Sequence, residues 1–247
     1  MKLLKPTWAA PAHIHAYSTT RLGGVSKNEF MGLNLGTHVG DDHQHVFNNR
    51  QLLSQYFPDS PDFCWLNQTH SCDLVKLSIE TDQAFDADAS WVERDGKRTC
   101  VVMTADCLPV LVTDKDGRFV AAIHAGWRGL CDGIIEKSIT KICNELMIAN
   151  EQLLVWLGPC IGPNAFEVGD DVRNEFILQD KNACHAFVAF NNKWLANLHQ
   201  LAKLRLAAFN GITITESDFC TFSDPELFYS YRRDGKTGRL ATFIWID

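Results

Sequence analysis

The chain has 247 residues, 46% of them hydrophobic and 21% charged, the balance of a globular protein long enough to bury a sizeable core. A formal net charge of -7 argues against wrapping nucleic acid or adhering to an anionic membrane, both of which demand basic faces, and favours a small-molecule partner. No stretch approaches the roughly 20 apolar residues that span a bilayer, and the opening MKLLKPTWAAPAHIH lacks a signal-like apolar core before Pro6, so a cytoplasmic protein is expected.

The segment STTRLGGVSKNEFMGLNLGTHVGDD is rich in Gly, Ser and Asn and lacks sustained periodicity. It predicts a long loop with short strands, a kind of segment that is often functional. DDHQHVFNNRQLLSQYF follows, with acidic residues at its start and Val46, Leu52, Leu53 and Phe57 on one helical face. Strands are predicted in DFCWLNQ, DLVKLSI, CVVMTA, PVLVTD and RFVAAIHA, with DKDG between the last two as a hairpin turn. GLCDGIIEKSITKICNELM sets Ile135, Ile139, Ile142 and Leu146 on one buried helical stripe, and LLVWLG returns to strand. GDDVRNEFILQ and KWLANLHQLAKLRLAAFNG read as two further helices, the second ending at Asn210-Gly211. The tail LFYSYRRDGKTGRLATFIWI alternates like two strands around a Gly-rich turn. No linker or repeat justifies a domain cut, so residues 1-247 are expected to form one domain. Consecutive strands followed by helices favour an α+β fold with a mixed, largely antiparallel sheet over a doubly wound parallel one.

Nine cysteines, an odd number with no CxxC pair, suggest neither a disulfide framework nor a zinc ribbon. Three metal-competent residues stand at the ends of strand-like segments: His70 in WLNQTH, Cys107 in MTADC and His124 in AAIHAGW. Catalytic zinc commonly takes three N or S ligands and leaves a fourth position open. Separations of tens of residues are not diagnostic, so the pattern leaves two alternatives. One is a zinc site; the other is a metal-free nucleophilic pair in which His124 activates Cys107. Asp106, beside Cys107, is a candidate acid/base or partner of a metal ligand. The glycines of HAGWRG let backbone approach a ligand while Arg128 offers a planar fork. Arg21, Arg50 and the Arg232-Arg233 pair are further candidates for phosphate recognition.

Several motifs fail. GKT in RRDGKTGR lacks the upstream P-loop glycine, which is Ser230, and reads as a hairpin turn. HIH and HQH suggest copper, but a multicopper oxidase uses about ten paired His and Cys ligands, which nine scattered histidines do not supply. The zinc nucleobase-deaminase signature and GxGxxG are both absent.

Taken together, STTRLGGVS, LNLGTHVGDD, NQTH, ADAS, TADCLPVLV, AAIHAGWRG, LGPCIGPNAFEVGDDV and FYSYRRDGKTGR resemble the YfiH family, also labelled the laccase-domain or polyphenol oxidase family, nearly end to end. The resemblance implies an α+β domain, a β-sandwich flanked by helices in an αββα-like arrangement, related to the Cys-His deamidase domain of necrotizing toxins. It implies a metal site, usually zinc with copper possible, built from His70, Cys107 and His124. It also implies phosphorolysis of adenosine, inosine and methylthioadenosine, deamination of adenosine, and a link to peptidoglycan editing. Under it, Cys107, His124, His70 and Asp106 are the expected catalytic residues. Arg21, Arg50, Arg128 and Asp88 are guesses for substrate or phosphate, with Asp88 or Asp106 moving protons. The expected partners are purine nucleosides and phosphate, the expected assembly a monomer or homodimer. Many relatives have QVHG where this chain has QTHS, so Thr69 and Ser71 depart from the pattern around an intact His70.

Overall fold

The computed structural model describes residues 1–81 and 84–247. In the first half lie strands β1 (Leu3–Leu4), β2 (Ile14–Thr19), β3 (Phe63–Cys64), β4 (Leu74–Lys76), β5 (Ala89–Glu93), β6 (Thr99–Thr104), β7 (Leu108–Asp114) and β8 (Phe119–Ala125), with helix α1 (His43–Tyr56). The second half holds helices α2 (Trp127–Cys131), α3 (Ile134–Leu146), α4 (Asp170–Gln179), α5 (Leu198–Leu206) and α6 (Tyr231–Asp234). Its strands are β9 (Leu153–Leu157), β10 (Glu167–Val168), β11 (Phe187–Phe190), β12 (Lys193–Ala196), β13 (Thr213–Glu216) and β14 (Leu240–Ile246).

The strands form sheets of order β1-β2-β14-β6-β3, β13-β9-β7-β8-β5-β4 and β10-β12-β11. Pairing is antiparallel except at β3-β6, β4-β5 and β9-β13. The two larger sheets pack face to face, and side-chain alternation explains how. Ile244 and Ile246 of β14, with Cys100 and Val102 of β6, meet Val120 and Ala122 of β8 and Leu111 of β7 between the sheets. The opposite side of β14 and β6 turns Phe243, Trp245 and Val101 toward Leu53 of α1. The opposite side of β7 and β8 turns Val110, Val112, Ala121 and Ile123 toward the apolar stripe of α3 and toward α5. The result is a helix, sheet, sheet, helix stack: the mixed, largely antiparallel α+β sandwich that the sequence predicts.

Two stretches differ from expectation. KWLA, expected as the start of a helix, is strand β12, bonded to both β10 and β11. The helix begins only after Asn197, whose side chain accepts from Gln200 N and so caps it. RRDGKTGR is no hairpin turn. Residues 231–234 form α6, capped by Ser230, which accepts from Arg233 N, and only residues 240–246 of the tail form a strand. The reason is long-range: a buried carboxylate from the TADC corner accepts the Arg232 backbone N–H at 2.6 Å, a partner no local pattern shows.

Candidate metal centre

The chain crosses from one large sheet to the other between β6 and β7, and the crossing is the three residues Ala105, Asp106 and Cys107. Asp106 takes φ +91, a backbone conformation rare for a residue with a Cβ, held because its side chain is pinned on all sides. Its carboxylate accepts from Thr221 Oγ1 at 2.7 Å, Ser230 Oγ at 3.0 Å and Arg232 N at 2.6 Å, and its carbonyl accepts from Ile161 N. Asp106 thus ties the corner to the C-terminal segment, and its oxygens are already engaged. What the geometry shows of it is an anchor at the wall of the cleft described below.

The corner aims Cys107 at two histidines. His124 lies at the end of β8, on the face turned toward the other sheet, and is 3% exposed. His70 projects from the loop before β4 at φ +60. The imidazole rings meet edge to face with centroids 4.9 Å apart. Ligand atoms of His70, Cys107 and His124 all lie within 4.8 Å of one another. Zinc bonds of about 2.0–2.3 Å at tetrahedral angles require separations of roughly 3.3–3.8 Å, so shifts of about 1 Å close the set. Gly126 leaves the room for this: a Cβ there would stand 2.9 Å from His70 Cδ2 and 3.3 Å from Cys107 Sγ.

Asp88 organises both histidines. Located opposite His124 just before β5, it is fully buried, and its Oδ1 accepts from His124 Nδ1 at 2.7 Å. Its Oδ2 accepts from Thr69 N at 3.1 Å, Ser71 N at 2.7 Å and Ser71 Oγ at 3.0 Å, so the peptide groups flanking His70 hang from one carboxylate. Thr69 and Ser71, the two departures from the QVHG pattern, both bring hydroxyls to this oxygen. Burial pushes the Asp88 carboxyl up, but His124 and the Ser71 donors outweigh it and hold it down to about 2. An ionised Asp88 fixes the proton on His124 Nδ1 and leaves Nε2 as the free donor atom. Asp88 lines no chamber of the cleft described below, so it orients ligands rather than touching substrate or phosphate.

With no metal bound, Cys107 and His124 titrate as a pair. Burial pushes the thiol up, yet the facing imidazoles of His124 and His70 prevail and lower it. For His124 burial is likewise outweighed, by Cys107 and Asp88, and its value rises. A thiolate beside an imidazolium is the result, and a cation that displaces the imidazole proton meets a ligand already deprotonated.

The cluster forms the partition of a cleft with two chambers, of about 250 Å³ and 280 Å³. His70, Cys107 and Tyr231 wall both. The first is mostly apolar, with Trp127, Ile161, Phe166 and Leu198, and has Asp106 and Arg232 in its wall. The second holds His38, Gln68, Met103, His124 and Arg239. A larger depression of about 620 Å³ near residues 76–79, 93–96 and 116–118 is more open, and its Lys76 is already paired with Glu93 and Glu145. The titrating pair lines the cleft and not this depression.

Of the arginines expected to hold phosphate, Arg232 lines the first chamber, its guanidinium donating to the Glu167 carbonyl, and the others, with Arg233 bonded to the Thr221, Phe222 and Phe228 carbonyls, stand elsewhere. Arg21 donates to the carbonyls of Pro225 and Met31 and lies over Tyr229. Arg50 donates to the Leu35 carbonyl and stacks on Trp65 at 3.9 Å. Arg128 rests on Trp127 and lines neither chamber. Sequence reasoning did not single out His38 or Arg239, although both lie inside quoted segments, LNLGTHVGDD and RRDGKTGR. Their only signal was a histidine and an arginine beside glycines in loops.

Residues 15–247 match the family model described as multi-copper polyphenol oxidoreductase laccase. The chain is 46% identical over 247 residues to "Purine nucleoside phosphorylase YfiH" of Escherichia coli (strain K12), covering 99% of each, and 44% identical to a purine nucleoside phosphorylase of Pseudomonas aeruginosa, covering 99% and 98%. Among solved structures it is similar to a Neisseria meningitidis protein, at TM-score 0.92 with 42% identity and full coverage of both chains. It is also similar to YlmD from Geobacillus stearothermophilus, at TM-score 0.88 with 28% identity, covering 100% of this chain and 96% of that one. The chain therefore belongs to the YfiH family, the laccase-like family of that model.

Proposed function

We propose that the protein is a zinc-dependent purine nucleoside phosphorylase, converting adenosine, inosine or methylthioadenosine and phosphate to the free base and the ribose 1-phosphate, and that it also deaminates adenosine. The observation that carries this reading is the His70, Cys107, His124 cluster set between an apolar and a cationic chamber. The names of the relatives support it. We take residues 1-247 as one catalytic unit.

The donor set fits zinc: two imidazoles and one thiolate, the histidine tautomer fixed by a buried carboxylate, and an open cleft on the remaining side. Zinc, when bound there, supplies a Lewis acid that lowers the pKa of a bound water to about 7. The same donors also accept copper, so metal identity is a matter for elemental analysis. In phosphorolysis a phosphate oxygen forms a bond to the ribose C1′ as the bond to the base breaks, and its electron pair leaves with the base. The transition state is cationic at the sugar, and the departing base needs a flat, dry seat. Trp127 and Phe166 provide apolar faces for a purine, and the two chambers together reach the scale of ligand sites, roughly 300–1,000 Å³. Pure protein incubated with adenosine and phosphate should release adenine, and inosine from the second activity. If neither product forms while zinc is bound, the reading fails.

One observation favours a second reading. Cys107, His124 and Asp88 stand in the order nucleophile, base and orienting carboxylate, the arrangement of a metal-free Cys-His hydrolase or amidase. Near-stoichiometric zinc that is lost in His70→Ala supports the metalloenzyme. Protein isolated without metal, with a Cys107 that alkylates readily, supports the hydrolase.

A further inference from the structure

Phosphorolysis needs a seat for an oxyanion beside the reacting sugar, and none of Arg21, Arg50 and Arg128 lines the cleft. The second chamber has what such a seat requires. Its wall includes the guanidinium of Arg239, the imidazole of His38, the cluster residues His70, His124 and Cys107, and no Asp or Glu; a metal held by the cluster would offset the charge of the Cys107 thiolate and leave the wall net cationic. In a chain of net charge -7 that is a local reversal of sign.

Arg239 is half-buried, and NH1 donates to the carbonyls of Thr237 and Gly238. Among the described residues it has no carboxylate within ion-pair distance, unlike Arg118 on Asp114 or Arg205 on Glu136. A desolvated guanidinium without a counter-ion is costly unless an anion arrives. Its backbone is anchored as well: Arg239 N donates to Asn34 Oδ1 at 2.8 Å, and Asn34 Nδ2 donates to Asp41, so the loop carrying His38 and the loop carrying Arg239 are bonded to each other. Gln68, which also lines this chamber, is engaged at both ends with Met103 main chain, at 2.7 Å and 2.9 Å, leaving His38 and Arg239 as the free recognition groups outside the cluster.

We propose that the chamber walled by His38 and Arg239 is an oxyanion site that seats inorganic phosphate next to the His70, Cys107, His124 cluster. This assignment deepens the phosphorylase reading and rests on it for the identity of the anion. Phosphate lies on the cationic side, the purine on the side of Trp127 and Phe166, and the ribose spans the partition at Cys107 and Tyr231.

The test measures binding and turnover separately. Equilibrium dialysis of the zinc-loaded full chain against radiolabelled inorganic phosphate gives affinity without turnover, and steady-state rates give KM for phosphate and for nucleoside. Arg239→Gln should weaken phosphate binding about 10- to 100-fold, the loss of a charged hydrogen-bonding pair, and raise KM for phosphate while KM for nucleoside stays within about twofold. Arg239→Lys, which keeps the charge without the fork, should recover part of the loss. His38→Gln sits on an exposed wall where folding is not at stake, and should cost about 2- to 10-fold. Arg94→Gln, which removes one charge far from the cleft, should change neither constant. Unchanged phosphate affinity in both folded Arg239→Gln and His38→Gln overturns the assignment while leaving the phosphorylase reading intact. Arg239-dependent phosphate binding without phosphorolysis supports the site and sinks the phosphorylase reading. Arg239-dependent binding of adenosine 5′-monophosphate with no binding of inorganic phosphate overturns the assignment in favour of a nucleotide phosphate.

Discussion

Asp88→Asn isolates the carboxylate that holds both histidines while changing almost no volume. An asparagine side chain has two orientations, and each loses something. With its carbonyl toward the loop, the amide N–H groups face His124 Nδ1, which must then become an acceptor and carry its proton on Nε2, the atom needed toward the metal. With its carbonyl toward His124, the amide N–H groups face the donors Thr69 N and Ser71 N, and the His70 loop loses bonds of 3.1 Å and 2.7 Å. Loss of such a partner behind a ligand typically weakens a metal 10- to 100-fold, or about 1.4–2.7 kcal/mol. The metal-free protein also loses folding stability. Asp88 is lowered from 3.8 to about 2 in the folded state, so its contribution is present above the unfolded value and lost as pH falls through the folded one. At 1.36 kcal/mol per pH unit the interval is worth about 2 kcal/mol of stability at neutral pH. Competition against a chromophoric chelator measures zinc affinity, the cobalt-substituted protein reports ligand geometry by its visible spectrum, and acid titration of the metal-free form reads the stability. Wild-type zinc affinity in a folded Asp88→Asn variant, with an unchanged cobalt spectrum, would refute the positioning role.

Four further outcomes follow from the same geometry. Gly126→Ala sets a methyl 2.9 Å from the His70 ring, so zinc affinity should fall while thermal stability falls little, checked by chelator competition alongside melting. Ser71→Gly restores the pattern of many relatives but removes the hydroxyl bond to Asp88, which should cost about 0.5–1.5 kcal/mol by denaturant unfolding of the metal-free protein. Metal-free protein at pH 7 should be alkylated by iodoacetamide at Cys107 ahead of buried thiols such as Cys100 and Cys160, which burial raises, and stoichiometric zinc should protect it; mass spectrometry of labelled peptides decides. Asp106→Ala removes the acceptor of three bonds, two from hydroxyls and one from backbone, and should destabilise by about 3 kcal/mol or more in urea unfolding.

The strands were legible as apolar runs such as RFVAAIHA and TFIWI, which are buried on both faces because one residue set fills the space between the sheets and the other meets helices, whereas the sandwich itself was carried by the family resemblance. The candidate metal ligands were legible for a different reason, as histidine and cysteine at strand ends. The start of α5 was misread because KWLA pairs instead with β10 and, across the two-residue turn Asn191-Asn192, with β11, a local hairpin the reading passed over. Helix α6 was misread as a hairpin turn because its deciding partner, Asp106, lies far off in sequence. The phosphate candidates misled for the same reason. Arg50 and Arg128 have neighbours of the right type in sequence, but each guanidinium already stacks on a tryptophan. Whether an arginine is spent on the fold or left for a ligand depends on which carbonyls and rings the tertiary structure brings to it, and no spacing rule contains that.

The two buried acids of the site divide a single problem. A thiolate delivered at a sheet-to-sheet crossing needs a sharp corner, and sharp corners in a loop move unless something outside the corner restrains them. Asp106 supplies that restraint by accepting from Thr221, Ser230 and Arg232 on the C-terminal segment. Asp88 faces inward and fixes the two imidazoles relative to each other. Because Tyr231 and Arg232 are held by the first acid and also wall the cleft, the corner that aims Cys107 and the walls that meet substrate move as one body. Preorganisation of this kind matters most where a cationic transition state must sit between a phosphate and a departing base, since a displacement of about 1 Å there can cost on the order of 100-fold in rate. Asp106→Asn should therefore reduce turnover more than it reduces zinc content, whereas Asp88→Asn should do the reverse. Equal loss of metal and rate in both variants, measured by elemental analysis and phosphorolysis on the same preparations, would show that the two acids act on the cluster alone.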